Sequence, residues 1–218
     1  MELLRAEKLE KLYPNASEPA VDQVDLVVHG GEFLTIEGVS GSGKSTLLAI
    51  LGGLMKPTGG KVISGDRSIY DISDRELAAW RGKKAGCIFQ NAQIAKALTV
   101  RENLTFARSF GNDGEADVEQ LIRKLGLWDY ADRLSGQLSG GQRRRAMIGC
   151  VLIRKTALIL ADEPTNDLDS EWAEKMIRAL RDTVTENSAV ILVTHDERWV
   201  SEADVRYAMK EGRLEKIR

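Results

Sequence analysis

Two cysteines occur in 218 residues, Cys87 and Cys150. They lie far apart and outside any metal-ligand or Cys-x-x-Cys spacing, which excludes a zinc site and a dithiol redox motif. Such scarcity suits a reducing compartment. Both are expected to be inert packing thiols, Cys87 within the apolar run Gly86-Cys87-Ile88-Phe89, because free cysteine behaves as a small hydrophobe. Prolines number four, and no Pro/Ser-rich linker, fixed-period repeat or low-complexity tract divides the chain. Lys and Arg total 31 against 33 Asp and Glu, so the strongly basic field of a dedicated nucleic-acid binder is absent and no direct nucleic-acid contact is expected. The start, Met1 to Lys8, interrupts its apolar residues with charges and lacks the core of a secretory signal. The longest apolar stretch, Leu47 to Met55, is about half of the ~20 residues that a membrane-spanning helix needs. The 43% hydrophobic content is nevertheless ample for a packed core.

What is present alternates between two periods. Phe33 to Ile36, Ala85 to Phe89, Ala157 to Ala161 and Ala189 to Thr194 are short apolar runs of strand composition. Nearly continuous runs of this kind suit parallel strands covered on both faces. Between them, Val118, Leu121, Ile122 and Leu125 mark one helix face before Gly126, and Trp172, Met176, Leu180 and Val184 mark another. Ser73 and Glu76 have the spacing of a capping box at a helix start. One α/β domain is expected over residues 1–218, with an inserted, mostly helical segment from about Asn91 to Cys150.

Gly38-Val39-Ser40-Gly41-Ser42-Gly43-Lys44-Ser45 fits G-x-x-x-x-G-K-[S/T], follows a strand and precedes a helix-like run from Thr46 to Leu51. Glycines at 38, 41 and 43 let the backbone aim its N–H groups at phosphate oxygens, and the helix start adds a positive dipole end. Gly38, Ser40, Gly41, Ser42, Gly43, Lys44, Ser45 and Thr46 are thus the candidate cradle for a nucleoside triphosphate. Lys44 is expected to reach the β- and γ-phosphates, and Ser45 to offer its hydroxyl to Mg²⁺.

Asp162 and Glu163 end an apolar strand at its carboxyl edge, where open α/β sheets bind ligands. Asp162 fits the magnesium side, since that ion prefers oxygen donors, and Glu163 is the candidate general base for an attacking water. His195 and Gln90 follow two other strands and are expected at the same edge, the imidazole toward the γ-phosphate and the amide toward metal or water. His29, beside Gly30-Gly31, is expected to be an ordinary histidine.

A second glycine signature, Leu138-Ser139-Gly140-Gly141-Gln142, lies far from the first, and one nucleotide rarely needs both. Leu134-Ser135-Gly136 echoes it without the second glycine and reads as loop composition. Arg143-Arg144-Arg145 fans around the helix that follows and is expected to be solvated and partly salt-bridged.

Together, in this order, these motifs resemble the nucleotide-binding domain of ATP-binding-cassette (ABC) ATPases across nearly the whole chain. The resemblance implies a P-loop NTPase of ABC type, with a mainly parallel central sheet, N-terminal antiparallel strands and an inserted helical subdomain. Leu138 to Gln142 resembles the family signature, Gln90 the Q-loop, Leu168-Asp169 the D-loop and His195 the switch histidine, while Tyr13 resembles the aromatic that stacks on adenine, or else packs before a turn. It further implies head-to-tail pairing with a second copy or a closely related subunit, in which Ser139, Gly140, Gly141 and Gln142 cover ATP held by the other protomer.

Leu51-Gly52-Gly53-Leu54 and Ala161 to Thr165 resemble the exporter branch serving lipoprotein release, macrolide efflux, peptide resistance and cell division. That implies an ATPase driving a separate transmembrane permease, cytoplasmic and peripheral on the inner face of the cell membrane. Glu163-Pro164-Thr165-Asn166 also resembles soluble ABC proteins of the translation-factor type, the competing class. Those usually fuse two cassettes, and this chain has one. Asn166-Asp167 departs from the Gly-Asn common in the exporter branch, Ala95-Lys96 from a Leu-Pro pair near the permease groove, and Cys150 from a common arginine.

Overall fold

A computed structural model describes residues 1–90, 94–112 and 116–217. In chain order the strands are β1 (Glu2–Lys11), β2 (Val21–His29), β3 (Phe33–Glu37), β4 (Gly59–Ser64), β5 (Arg67–Ser68), β6 (Ala85–Ile88), β7 (Leu158–Asp162), β8 (Ala189–Val193), β9 (Val205–Lys210) and β10 (Arg213–Lys216). The helices are α1 (Lys44–Leu51), α2 (Asp74–Lys84), α3 (Val100–Arg108), α4 (Val118–Lys124), α5 (Gly140–Leu152), α6 (Ser170–Arg181) and α7 (Glu197–Ser201).

The four apolar runs become the adjacent strands β3, β8, β7 and β6, the last at the edge, of a six-stranded sheet ordered β10-β9-β3-β8-β7-β6, parallel except for β10. Successive residues in a strand face opposite sides, so a strand buried twice must be apolar throughout. Ile159, Ala161, Val190 and Leu192 accordingly face a core shared with α3 to α6, whereas Leu158, Leu160, Ile191 and Val193 face a second core shared with α1 and the small sheet. That small sheet is antiparallel, ordered β2-β1-β4-β5. Its strand β2 alternates buried Val24, Leu26 and Val28 with exposed neighbours, the signature of a sheet packed on one face. The family resemblance implies these N-terminal strands, whereas the apolar runs alone mark neither them nor β9 and β10.

Helix boundaries follow local chemistry. The Ser73–Glu76 capping box forms at α2, and others form from Thr99 with Glu102 and from Ser139 with Gln142. On α4, Val118 and Ile122 are buried while Leu121 is only partly so. Helix α6 ends at Arg181, three residues before Val184, which the apolar spacing had placed on the same helix. Between β6 and β7 the chain forms α3, α4 and α5; Asn91, the expected start of the insert, lies outside the described residues.

The arginine run is a correction. Arg144 and Arg145 are 6% and 8% exposed, because α5 runs through the core between α3, α4 and the sheet. Gly149 lets Leu125 of the α4 end approach, where a Cβ would lie 2.4 Å from its Cδ1. Arg145 donates from Nη1 to the Leu125 carbonyl at 2.6 Å and stacks on Trp172, with its guanidinium carbon 3.9 Å from the ring centroid. Both thiols are free, and burial pushes Cys87 up to about 11 and Cys150 up to about 12, so they are neutral at ordinary pH. Ser135, in the echo sequence, is buried and accepts a 2.9 Å hydrogen bond from Asn103 Nδ2, a role in holding a loop.

Candidate functional site

Parallel pairing brings the carboxyl ends of β3, β6, β7 and β8 to one edge, and each is followed by a residue singled out from the sequence. A cavity of about 520 Å³ opens there, lined by the Gly38–Thr46 loop, Gln90, Asp162, Glu163, Asn166 and His195. This is the edge at which open α/β sheets bind ligands.

The loop needs its glycines for contact as well as for dihedral freedom. Gly43 has φ +105° and its missing Cβ would lie 2.0 Å from the Ala20 carbonyl oxygen; Gly38 has φ +153°, and a Cβ there would lie 2.2 Å from that of Met209. No side chain caps α1 and its first turn carries no acid, so an anion meets open N–H groups and a positive dipole end. Lys44 Nζ donates to the carbonyls of Gly38 and Val39, each at 2.7 Å, and to Ser42 Oγ at 3.3 Å. The ammonium thus spans the loop. Burial lowers its pKa, opposed by the charges of Asp162 and Glu163.

Asp162 is 5% exposed and its carboxylate has no hydrogen-bond or ion-pair partner among the described residues. Glu163 adopts φ +47°, uncommon for a residue with a side chain, and its N–H donates to Val193 at 2.9 Å. Its Oε1 lies 2.8 Å from His195 Nδ1, while Thr194 Oγ1 approaches Oε2 at 3.5 Å.

The hydrogen bond and the charge of Glu163 raise the His195 pKa, with a smaller contribution from Asp196 and opposition from Lys44. The charged pair is therefore complete below the ordinary histidine value, near 6.5, and is lost as pH rises through the raised one. An NMR titration of His195 should give a midpoint above the ordinary value that falls back in Glu163→Gln; an unchanged midpoint would remove the pairing.

Tyr13 is not among the cavity-lining residues. Its hydroxyl sits 3.1 Å from Thr46 Oγ1 and 3.4 Å from Met55 Sδ, with Lys11 Nζ 5.7 Å from the ring centroid. Its ring stays 39% exposed beside α1. His29 ends β2 on the surface. Asn166 is a lining residue that the sequence marks only as a departure from the exporter branch; its place in the turn that follows β7 is the available signal.

The second signature is absent from this cavity. Ser139 Oγ accepts from Gln142 N at 3.2 Å, and Gln142 Oε1 accepts from Ser139 N at 2.9 Å. The box uses the cap and third-residue amides and leaves those of Gly140 and Gly141, between them, without a capping partner. Gly140 instead lines a separate cavity of about 260 Å³ with Lys96, Arg143, Arg144 and Asp167; Gln90 lines both cavities.

The sequence pattern of the ABC transporter family matches residues 21–166. The ATP-binding protein LolD of the lipoprotein-releasing system of Shewanella sp. (strain MR-4) is 35% identical over 99% of this chain and 96% of its own length. The macrolide export ATP-binding/permease protein MacB of Photorhabdus laumondii is 35% identical over 97% of this chain, which spans 34% of that longer protein. The dimeric ATP-binding cassette MJ0796, solved in a post-hydrolysis state with ADP and phosphate, superposes with a TM-score of 0.90 at 32% identity, covering 99% of both chains. With its phosphate loop, strand-end carboxylates and second glycine signature on one cassette fold, the chain belongs to the ABC transporter family.

Proposed function

We propose that the chain is the ATP-hydrolysing subunit of an exporter-type ABC transporter, working as a head-to-tail pair on a separately encoded permease. The observation that carries this is the outward placement of Ser139 to Gln142: an anion cradle that cannot serve the chain's own nucleotide cavity is left for that of another copy. The pairing of cassettes in MJ0796 supports the same reading.

In this reading residues 1–218 act as one ABC ATPase domain, with 91–150 as the helical insert. Gly38 to Thr46 wrap the phosphates, Lys44 neutralises their charge, and Tyr13, beside Thr46, supplies a face for adenine. Glu163 accepts the proton of the attacking water, and His195 holds its carboxylate in place and meets the γ-phosphate. The oxygen donors Ser45, Gln90 and partner-free Asp162 fit Mg²⁺, which in such sites takes one or two carboxylates and completes its shell with phosphate and water. When bound, the ion would offset phosphate charge. Ser139, Gly140 and Gly141 contact the partner's ATP, and Gln142 keeps their helix start in shape.

No helix among the described residues is long and apolar enough to cross a membrane, so attachment to the cytoplasmic face would run through the permease. Its seat is the apolar groove of about 520 Å³ that Leu54, Ala95, Phe106, Phe110 and Val151 line. A tagged chain solubilised from membranes should carry an integral membrane protein, and Phe106→Glu should release it while nucleotide binding persists. Recovery of wild type solely from the soluble fraction would favour the non-transport reading.

A further inference from the structure

Arg144 uses every donor it has. Its Nε donates to the Pro164 carbonyl at 2.9 Å, Nη1 to Phe89 at 3.0 Å and Gln90 at 3.5 Å, and Nη2 to Asp162 at 3.4 Å and to Glu163. An arginine carries five N–H groups in a rigid planar fork, and here five backbone carbonyls meet them. They belong to two segments. The β6–β7 ladder ends at Ile88 opposite Ala161, and beyond it one segment leads to Gln90 and the other to Glu163. Among the described residues, the Arg144 side chain bridges the two where backbone pairing stops. Among the described residues no carboxylate forms an ion pair with it; Asp162, Glu163 and Asp167 act on it through their fields, so its contribution is directional rather than one of charge pairing.

The same side chain springs from α5, whose first residues are the outward-facing anion cradle. We propose that Arg144 is a positioning residue that ties seating of the partner's ATP on α5 to the placement of Glu163 and Gln90 in the chain's own cavity. This rests on the head-to-tail reading. A shift of α5 must either drag the two segments or break bonds of a buried guanidinium, and an unpaired buried donor is costly. The fork therefore transmits small displacements, and Glu163, held at φ +47° next to it, receives them.

The test is steady-state hydrolysis by the full chain with Arg144→Lys, Arg144→Gln and Arg144→Met. Lysine keeps the charge but offers three donors from a single point, which cannot serve both segments. Nucleotide affinity, read by equilibrium titration with a fluorescent ATP analogue, and KM should stay within about twofold, whereas kcat falls on the order of 10²-fold, as for ångström-scale misplacement of a reacting group. Cooperativity in ATP should disappear, which a merely structural loss would not produce at unchanged affinity. Wild-type kcat and cooperativity in folded Arg144→Lys would overturn the proposal.

If the variants do not fold, hydrogen exchange of the wild type decides. ATP-driven pairing should protect residues 139–145, 88–90 and 162–166 together, and Gly141→Asp, which binds its own nucleotide without pairing, should lose all three protections. Protection of 88–90 and 162–166 without that of 139–145 would overturn the coupling. A wild type that never pairs with ATP sinks the head-to-tail reading and this proposal together; pairing with normal Arg144→Lys turnover sinks the proposal alone.

Discussion

Glu163→Gln is expected to bind ATP normally, to hydrolyse it ~10²–10⁴-fold more slowly, and to accumulate as an ATP-bound pair. The substitution preserves the shape of the side chain. An amide oxygen can still accept from His195 Nδ1 at the 2.8 Å site while the amide NH₂ donates to the Thr194 hydroxyl oxygen, so the cavity should keep its form. What disappears is the capacity to take a proton, along with one negative charge facing Lys44. Removing that charge also relieves repulsion toward the phosphates, so affinity should hold or rise while turnover falls. Phosphate release measures the rate, and size-exclusion chromatography with ATP measures the pairing. Undiminished release would remove Glu163 from the role of base.

The phosphate loop was legible in the sequence because backbone geometry allows so few residues there: positions that must meet the Ala20 and Met209 carbonyls can carry no Cβ. The buried strands were legible for a similar reason, since only apolar runs can face two cores at once. Strands β9 and β10 were not, because strands as partly buried as Val205–Lys210 and Arg213–Lys216 mix polar and apolar residues without a continuous run. The arginines were misread because a local pattern registers charge as solvent-facing. Their burial depends on carbonyls released at the ends of β6 and β7 and at the α4 terminus, residues distant in sequence. A run such as Arg143 to Arg145 becomes intelligible only when the donors are matched to acceptors.

The departures at Asn166-Asp167 divide in the same way. Asp167 adopts φ +68°, a left-handed conformation that Asp and Asn tolerate better than other side chains, so replacing an Asn there preserves the turn. That turn packs on the second signature: a Cβ on Gly141 would lie 3.0 Å from the Asp167 carbonyl oxygen. Asn166 instead lines the chain's own cavity. Adjacent residues thus line two cavities, that of the phosphate loop and that beside the second signature.

Sharing of each site between two chains leads to the second large effect, recovery of activity from two inactive variants. Lys44→Ala removes the ammonium that spans the phosphate loop and should abolish nucleotide capture by its own chain. Gly141→Asp puts a carboxylate at the start of α5, where the helix dipole favours it although its Cβ presses on the Asp167 carbonyl oxygen at 3.0 Å, and where it repels the phosphate of a partner's ATP. Alone, each variant lacks an intact site in any pair it forms. In a mixed pair, the Gly141→Asp chain supplies a sound phosphate loop and the Lys44→Ala chain a sound signature, so one site of two is whole. Mixed equally, neither variant pairing with itself under ATP, the pairs that form combine both chains, and phosphate release should recover toward about half of the wild-type rate. Mixed pairs that form without recovering activity would show that the Ser139–Gln142 helix start does not complete the neighbour's site.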